Sequence, residues 1–162
     1  ESIEATNDVA RKVSLPLATG ERYCHLQEFR DLLAGGGAQL VKPDIGYAGG
    51  FTGCKKIAAL AEAYEAGFAF HHFLSPVTTA ACVQLDACIP NFTVQEYAPD
   101  EPRPPKSQVV KELLTVQDGY LIVPDRPGIG VELNEDAVLA QYPFRPRQVW
   151  APLREDRSPA HG

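Results

Sequence analysis

Short apolar runs alternate with longer segments of helical period over the first hundred residues. Four runs predict β-strands, and apolar positions three or four residues apart follow each of the first three, as in amphipathic helices. This alternation is typical of βα units around a parallel sheet. The predicted strands are 15–20, 39–43, 68–71 and 92–96, and the predicted helices are 26–33, 52–66 and 77–88.

Local residue chemistry marks the ends of these helices. Ser75 and Pro76 suit the N-cap and first turn of the third helix. Gly35 and Gly67 are predicted to end the first and second helices. After the fourth strand, four prolines within residues 99–105 exclude another helix at that point. A hairpin around Asp118-Gly119 and a short helix capped by Asn134 are predicted beyond them.

Composition narrows the classes of partner. The chain has 162 residues, of which 44% are apolar and 22% charged, and its net charge is −6. It has neither a basic cluster nor about 18 consecutive apolar residues, so we expect no nucleic-acid and no membrane partner. No signal-peptide pattern is present, which predicts a cytoplasmic protein. The four cysteines lack zinc-ligand spacing and are predicted to be reduced thiols.

Ionisable residues recur at the carboxyl ends of the predicted strands. Glu21, Asp44, His71 and Glu96 follow one another at intervals of 23, 27 and 25 residues. One βα unit of a parallel barrel takes about 30 residues, so these side chains are expected side by side on the rim where barrel active sites are built. Carboxylates and an imidazole on one rim suit metal binding and proton transfer.

The residues alone leave several alternatives open. Any one acid after a strand is more often a helix N-cap or a solvated loop charge. Neighbouring strand residues point to opposite faces, so only one of His71 and His72 can face the site, and spacing does not choose between them. Lys42 is either a partner of a carboxylate or a site residue, and the structural role is slightly favoured.

A series of short motifs follows in a fixed order along the chain. The motifs are Ala-Thr-Gly-Glu-Arg at 18–22, Lys-Pro-Asp at 42–44, Ala-Gly-Gly at 48–50, His71 with Leu-Ser-Pro at 74–76, Pro-Asn-Phe at 90–92, Gln-Glu at 95–96, Asp-Gly-Tyr at 118–120 and Pro-Gly-Ile-Gly-Val-Glu at 127–132. In these motifs the chain resembles the second half of a mandelate racemase-type member of the enolase superfamily, and most of all acid-sugar dehydratases of the D-galactonate dehydratase type. Lys42 stands where such relatives commonly carry Gln, and residues 154–158 only partly match their Asp-Gly-Ser ending.

The resemblance implies an α/β fold, the second half of a modified (β/α)7β TIM-type barrel with a C-terminal extension. Residues 1–97 are then the later barrel half, with four strands and three intervening helices. Residues 98–162 are the extension, with the hairpin and short helix, expected to pack on the barrel and on a capping domain. The chain has no methionine, and we expect a missing N-terminal half or capping domain, and a homo-oligomer.

The resemblance also implies roles for site residues. Glu21 is expected to bind Mg²⁺. The resemblance selects His71, rather than His72, as the base, and Asp44 is expected to orient the His71 ring. Glu96 is expected to hydrogen-bond the substrate carboxylate or the developing enediolate. Lower-ranked substrate contacts are Arg22, Lys42 and His72.

These roles predict an enzyme, a Mg²⁺-dependent lyase that dehydrates an acid sugar (an aldonate) to a 2-keto-3-deoxy acid through an enediolate. The alternatives are a racemase or epimerase of the same superfamily and a half-barrel that binds a partner without catalysis. The family's first two metal ligands have no counterpart in this sequence.

Overall fold

The computed structural model describes residues 2–146. Its helices are α1 (Ile3–Ala10), α2 (Leu26–Ala34), α3 (Gly50–Ala63), α4 (Pro76–Asp86) and α5 (Glu135–Gln141), with a short 3-10 helix at Lys106–Gln108. Its strands are β1 (Ala18–Thr19), β2 (Leu40–Val41), β3 (Gly67–Phe68), β4 (Val116–Gln117) and β5 (Tyr120–Leu121). None of these helices combines the length and apolar character needed to cross a membrane.

Strands β1, β2 and β3 form a parallel sheet in chain order, as the alternating pattern predicts. Val41 lies opposite both Thr19 and Phe68, so the three strands end at nearly the same height. The ladder continues beyond β3, because the N–H of His71 donates to the carbonyl of Pro43 at 3.0 Å. Residues that follow the strands are therefore held beside one another.

The fourth predicted strand is reduced to a single parallel bridge between Phe68 and Phe92. The expectation of a regular strand over 92–96 is therefore wrong within the described residues. An extended segment forms a regular strand when its backbone pairs with neighbouring strands. Within residues 2–146, this segment has a pairing partner on one side only.

Helix boundaries follow local chemistry at α4 but not at α3. Ser75 caps α4 by accepting a hydrogen bond from the Thr78 N–H, and Pro76 occupies its first turn. The prediction that α3 runs to Ala66 and that Gly67 ends it is wrong. The helix ends at Ala63, Glu65 adopts a φ of 59°, and Gly67 belongs to β3.

Apolar side chains of α2, α3 and α4 cover the parallel sheet. The rings of Phe68 and Phe70 meet edge to face at 4.9 Å, and burial of each large apolar side chain contributes about 1.5–3 kcal/mol. Members with at most 2% exposure include Phe29, Leu32, Val41, Cys54, Ile57, Ala58, Ala61, Phe68, Phe70, Cys82 and Leu85. This core fixes the height of the strand ends that carry the candidate site.

The later part of the chain contains the predicted hairpin and short helix. Asp118 and Gly119 have φ values of 52° and 82°, as the two central residues of a type I′ turn require. Leu114 packs on Ala80 and Val83 of α4 in a second apolar cluster. The division at residue 97 stays a prediction, and residues 154–158 lie outside the described range.

Candidate active site

The side chains of Asp44 and His71 meet at the ends of β2 and β3. His71 Nδ1 lies 3.1 Å from Asp44 Oδ2, and the N–H of Gly46 donates to Asp44 Oδ1 at 2.8 Å. Asp44 is 1% exposed, so the carboxylate is held between these two donors. A buried carboxylate with two donors is a rigid orienting group for an imidazole.

This contact determines which nitrogen of His71 can act as a base. An ionised carboxylate only accepts hydrogen bonds, so in the neutral imidazole this contact places the proton on Nδ1 and the lone pair on Nε2. Nε2 is 3.8 Å from Glu21 Oε2, beyond hydrogen-bond length. The ring also packs on Phe73, with centroids 5.2 Å apart. Nε2 therefore faces the site, and the side chain has little freedom to turn away.

Glu96 is held by two donors on the same side of the site. Its Oε2 accepts from Lys42 Nζ at 3.2 Å and from the His72 main-chain N–H at 2.9 Å. Desolvation raises the pKa of Glu96, but the His72 N–H and the Lys42 ammonium outweigh it, and the net pKa is lowered. Glu96 is therefore held as an anion, which can only accept hydrogen bonds.

The four residues singled out by their intervals thus converge, although their chemical roles stay predictions. Lys42 is the partner of a carboxylate, because its ammonium forms an ion pair with Glu96. Arg22 is exposed beside Glu21 on the same loop, and its substrate role also stays a prediction.

The expectation that His72 binds substrate is wrong for its side chain, which is 1% exposed. His72 Nε2 lies 2.6 Å from Thr79 Oγ1, and that hydroxyl donates to Glu101 Oε2 at 2.5 Å. Neighbouring extended residues project to opposite faces, so His72 enters the packing against α4 while His71 faces the site. Only the main-chain N–H of His72 reaches Glu96.

Sequence reasoning missed three contributors to this arrangement. The contact of Gly46 could have been predicted from the sequence, because an Asp side chain commonly accepts a hydrogen bond from the main-chain N–H two residues later. No sequence signal marks Thr79 and Glu101: Thr79 lies within a helix, Glu101 within a proline-rich segment, and only packing brings them to His72.

The two buried cysteines are not nucleophile candidates. All four cysteines are free thiols, as predicted, and Cys54 and Cys82 are buried. Burial raises the pKa of Cys54 to about 12 and also raises that of Cys82. Neither buried thiol is a thiolate near neutral pH.

Comparison with known proteins identifies the family. The family profile described as Enolase C-terminal domain-like matches residues 1–137. The chain belongs to this family. The resemblance recognised from the motifs is thereby confirmed, and so is its fold class, the later part of an enolase-superfamily barrel.

The relatives of this enolase-family chain are much longer than the chain itself. D-galactonate dehydratase of Xanthomonas campestris pv. campestris is 40% identical over 141 residues, covering 84% of this chain and 37% of the relative. The Pectobacterium atrosepticum D-galactonate dehydratase is 36% identical over 144 residues, covering 86% of this chain and 38% of the relative. The chain therefore spans less than two fifths of these curated relatives.

Solved structures of this superfamily also match most of this chain and less than half of their own length. A mandelate racemase/muconate lactonizing enzyme from Jannaschia sp. CCS1 is 35% identical with a TM-score of 0.81, covering 90% of this chain and 36% of that one. An enolase from Agrobacterium radiobacter, a candidate galactarate dehydratase with bound Na and L-malate, has the same identity and TM-score, covering 100% of this chain and 44% of that one.

Enolase-superfamily members are generally Mg²⁺-dependent, so the fit of the residues to that ion can be tested. The Glu21 carboxylate is 47% exposed and faces His71, and carboxylate oxygens are the ligands that Mg²⁺ prefers. Within residues 2–146, no group of three or more His, Cys, Asp or Glu side chains is arranged to hold a metal ion. Glu21 therefore fits as one ligand, and the described residues do not supply a complete set.

Proposed function

We propose that this chain is the later barrel half of a Mg²⁺-dependent acid-sugar dehydratase, which converts an aldonate to a 2-keto-3-deoxy acid. The observation that carries the proposal is the 3.1 Å contact between His71 Nδ1 and Asp44 Oδ2. It leaves His71 Nε2 as a base facing the site. Relatives named D-galactonate dehydratase support the substrate class.

His71 performs the first step in this proposal. A proton on the carbon next to a carboxylate is weakly acidic, so its removal needs an oriented base and stabilisation of the charge that develops. His71 Nε2 takes the C2 proton, and the electrons of the C–H bond move into the carboxylate to form an enediolate. Asp44 holds the ring in place and stabilises the imidazolium that results.

Glu96 and Lys42 position the substrate. Glu96 Oε2 already binds Lys42 and the His72 N–H, so its other oxygen remains to accept a hydrogen bond from a substrate hydroxyl or a protonated enediolate oxygen. Lys42 helps to lower the pKa of Glu96, after the His72 N–H, and adds positive charge beside the anionic substrate.

Glu21 would be the metal ligand that this chain contributes, and the remaining ligands would come from the preceding part of the longer protein. When bound, Mg²⁺ supplies positive charge that stabilises the developing dianion. The reaction then closes on the substrate: the enediolate electrons form a C2–C3 double bond as the C3–O bond breaks, and the hydroxyl takes one proton, equal to the one removed from C2, and leaves as water. The resulting enol becomes the ketone as its C2 hydroxyl loses a proton and C3 gains one.

The test uses the complete protein and a panel of aldonic and aldaric acids, with formation of a 2-keto acid as the readout. His71→Asn is expected to lower kcat by about 100-fold or more, the size of a general-base contribution. The matched control is His25→Asn, because His25 is an exposed N-cap of α2 and Asn is also a good N-cap. Chelation of divalent metal should abolish turnover, and Mg²⁺ should restore it.

Two results would contradict the proposal. Full activity in His71→Asn, or activity unaffected by chelation, would remove the base or the metal from the reaction. Exchange or inversion at C2 without release of water would instead identify a racemase or epimerase. Cytoplasmic location and a homo-oligomeric state remain predictions.

A further inference from the structure

Three buried polar side chains lie directly behind the candidate active site, and the proposed reaction uses none of them. They belong to His72, Thr79 and Glu101, which are each at most 1% exposed. They come from separate parts of the chain: the extended segment after β3, helix α4 and the proline-rich segment. We call them the His72 cluster. Buried polar groups cost free energy unless they are hydrogen-bonded, so what these bonds hold in place matters.

The hydrogen bonds of the His72 cluster run in one direction. The Thr79 hydroxyl has one proton, and Glu101 Oε2 at 2.5 Å is a closer acceptor for it than the Ser75 carbonyl at 3.2 Å. His72 Nε2, at 2.6 Å from the same hydroxyl oxygen, is therefore the donor in that contact. A directed chain from imidazole to hydroxyl to carboxylate holds the ring in one orientation.

Helix α4 gives the cluster a rigid support. The helix is capped at Ser75, which accepts from the Thr78 N–H, and its residues Cys82 and Leu85 lie in the core at no more than 2% exposure. Thr79 sits in the first part of this helix. The His72 ring is thus attached to a packed element rather than to a loop, which favours precise positioning of the groups next to it.

The main chain of His72 faces the opposite way, toward Glu96. Its N–H donates to Glu96 Oε2 at 2.9 Å. Desolvation raises the pKa of Glu96, and among the groups that lower it the His72 N–H comes before Lys42. The Glu96 side chain is 42% exposed, so these donors hold it more than packing does. Movement of the His72 ring would carry this N–H away from Glu96.

His71 is anchored by other parts of the structure. Its main-chain N–H donates to the carbonyl of Pro43 at 3.0 Å, and its ring contacts Asp44 at 3.1 Å. Both partners belong to the segment that follows β2. Disturbing the His72 cluster should therefore displace Glu96 while the base stays in place.

We propose that Thr79 and Glu101 are positioning residues, which act through His72 to hold Glu96 at the substrate. Neither side chain touches the substrate itself. The contact of Glu96 with substrate rests on the proposed function, whereas the hold on Glu96 belongs to the fold and is measured without substrate.

The first experiment follows hydrogen exchange of main-chain N–H groups by NMR in the complete protein. Thr79→Val should speed exchange of the His72 N–H about 10-fold or more relative to the His71 N–H, because only the His72 N–H depends on the cluster and local opening exposes it. Glu101→Gln should act in the same direction, and it decides the question if Thr79→Val does not fold. Thr78→Val, at the half-buried neighbour, is the matched control and should leave the ratio of the two rates unchanged. Equal acceleration of both N–H groups in Thr79→Val would mean general destabilisation and would overturn the proposal.

The second experiment is a double-mutant cycle on kcat/KM for 2-keto acid formation. Thr79→Val should lower kcat/KM by about 10–100-fold, the effect of a misplaced site group. In the Glu96→Ala background the same change should cost less than about threefold, because no carboxylate remains to be positioned. Thr79→Ser keeps the hydroxyl and should restore most of the activity, and Glu101→Gln is measured in the same cycle.

The two experiments separate this inference from the reaction on which it rests. Effects of Thr79→Val and Glu96→Ala that simply multiply would show that Thr79 does not act through Glu96, and the proposal would fail. If the unchanged protein forms no 2-keto acid, the proposed function fails instead. The exchange rate of the His72 N–H then still decides whether the cluster holds Glu96.

Discussion

Removing one hydroxyl from the buried contact behind the candidate site should destabilise the protein strongly. Thr79 Oγ1 lies 2.6 Å from His72 Nε2 and 2.5 Å from Glu101 Oε2. All three residues are at most 1% exposed. Thr79→Val keeps the shape of the side chain but leaves a buried donor and a buried acceptor without this partner. Each such loss costs about 1–3 kcal/mol.

The direct contact between His72 Nε2 and Glu101 Oε2, at 3.4 Å, should recover part of that loss. We therefore expect Thr79→Val to lower the free energy of unfolding by about 2–4 kcal/mol. Thr79→Ser keeps the hydroxyl and should cost only about 1 kcal/mol, for one buried methyl group.

Urea unfolding of the complete protein measures the effect, as a lower midpoint with an unchanged slope. Thr78→Val is the matched control, because Thr78 is the half-buried neighbour and its N–H still caps against Ser75. The reasoning fails if Thr79→Val unfolds at the same urea concentration as Thr78→Val.

Two further substitutions test other parts of the structure. Lys42→Met removes the ammonium that helps to lower the pKa of Glu96, so the acidic limb of the kcat/KM profile should move toward neutral pH; an unmoved limb would mean that Glu96 does not control it. Gly53→Ala places a methyl group 1.9 Å from the main-chain oxygen of Ala48 and should cost about 1–3 kcal/mol by overpacking, whereas exposed Lys55→Ala on the same helix should change the urea midpoint little.

The elements predicted well are those that depend on nearby residues. Helix α4 begins where Ser75 and Pro76 supply the cap and first turn, and the hairpin turns at Asp118-Gly119. Elements that depend on distant neighbours were predicted less well. Segment 92–96 has a strand-like pattern, but residues 2–146 pair with it on one side only. Gly67 joined β3 instead of ending α3.

The sequence by itself determined the order of the parallel strands, the interval between their polar ends and the family, because these follow from local periodicity and ordered motifs. Tertiary structure alone decided which polar groups meet. Lys42 and Glu96 are 54 positions apart and form an ion pair, and His72 turns from the site to Thr79 and Glu101. Within residues 2–146, packing also left the Asp86 carboxylate buried without a hydrogen-bond partner. Such contacts join distant parts of the chain, so no local pattern contains them.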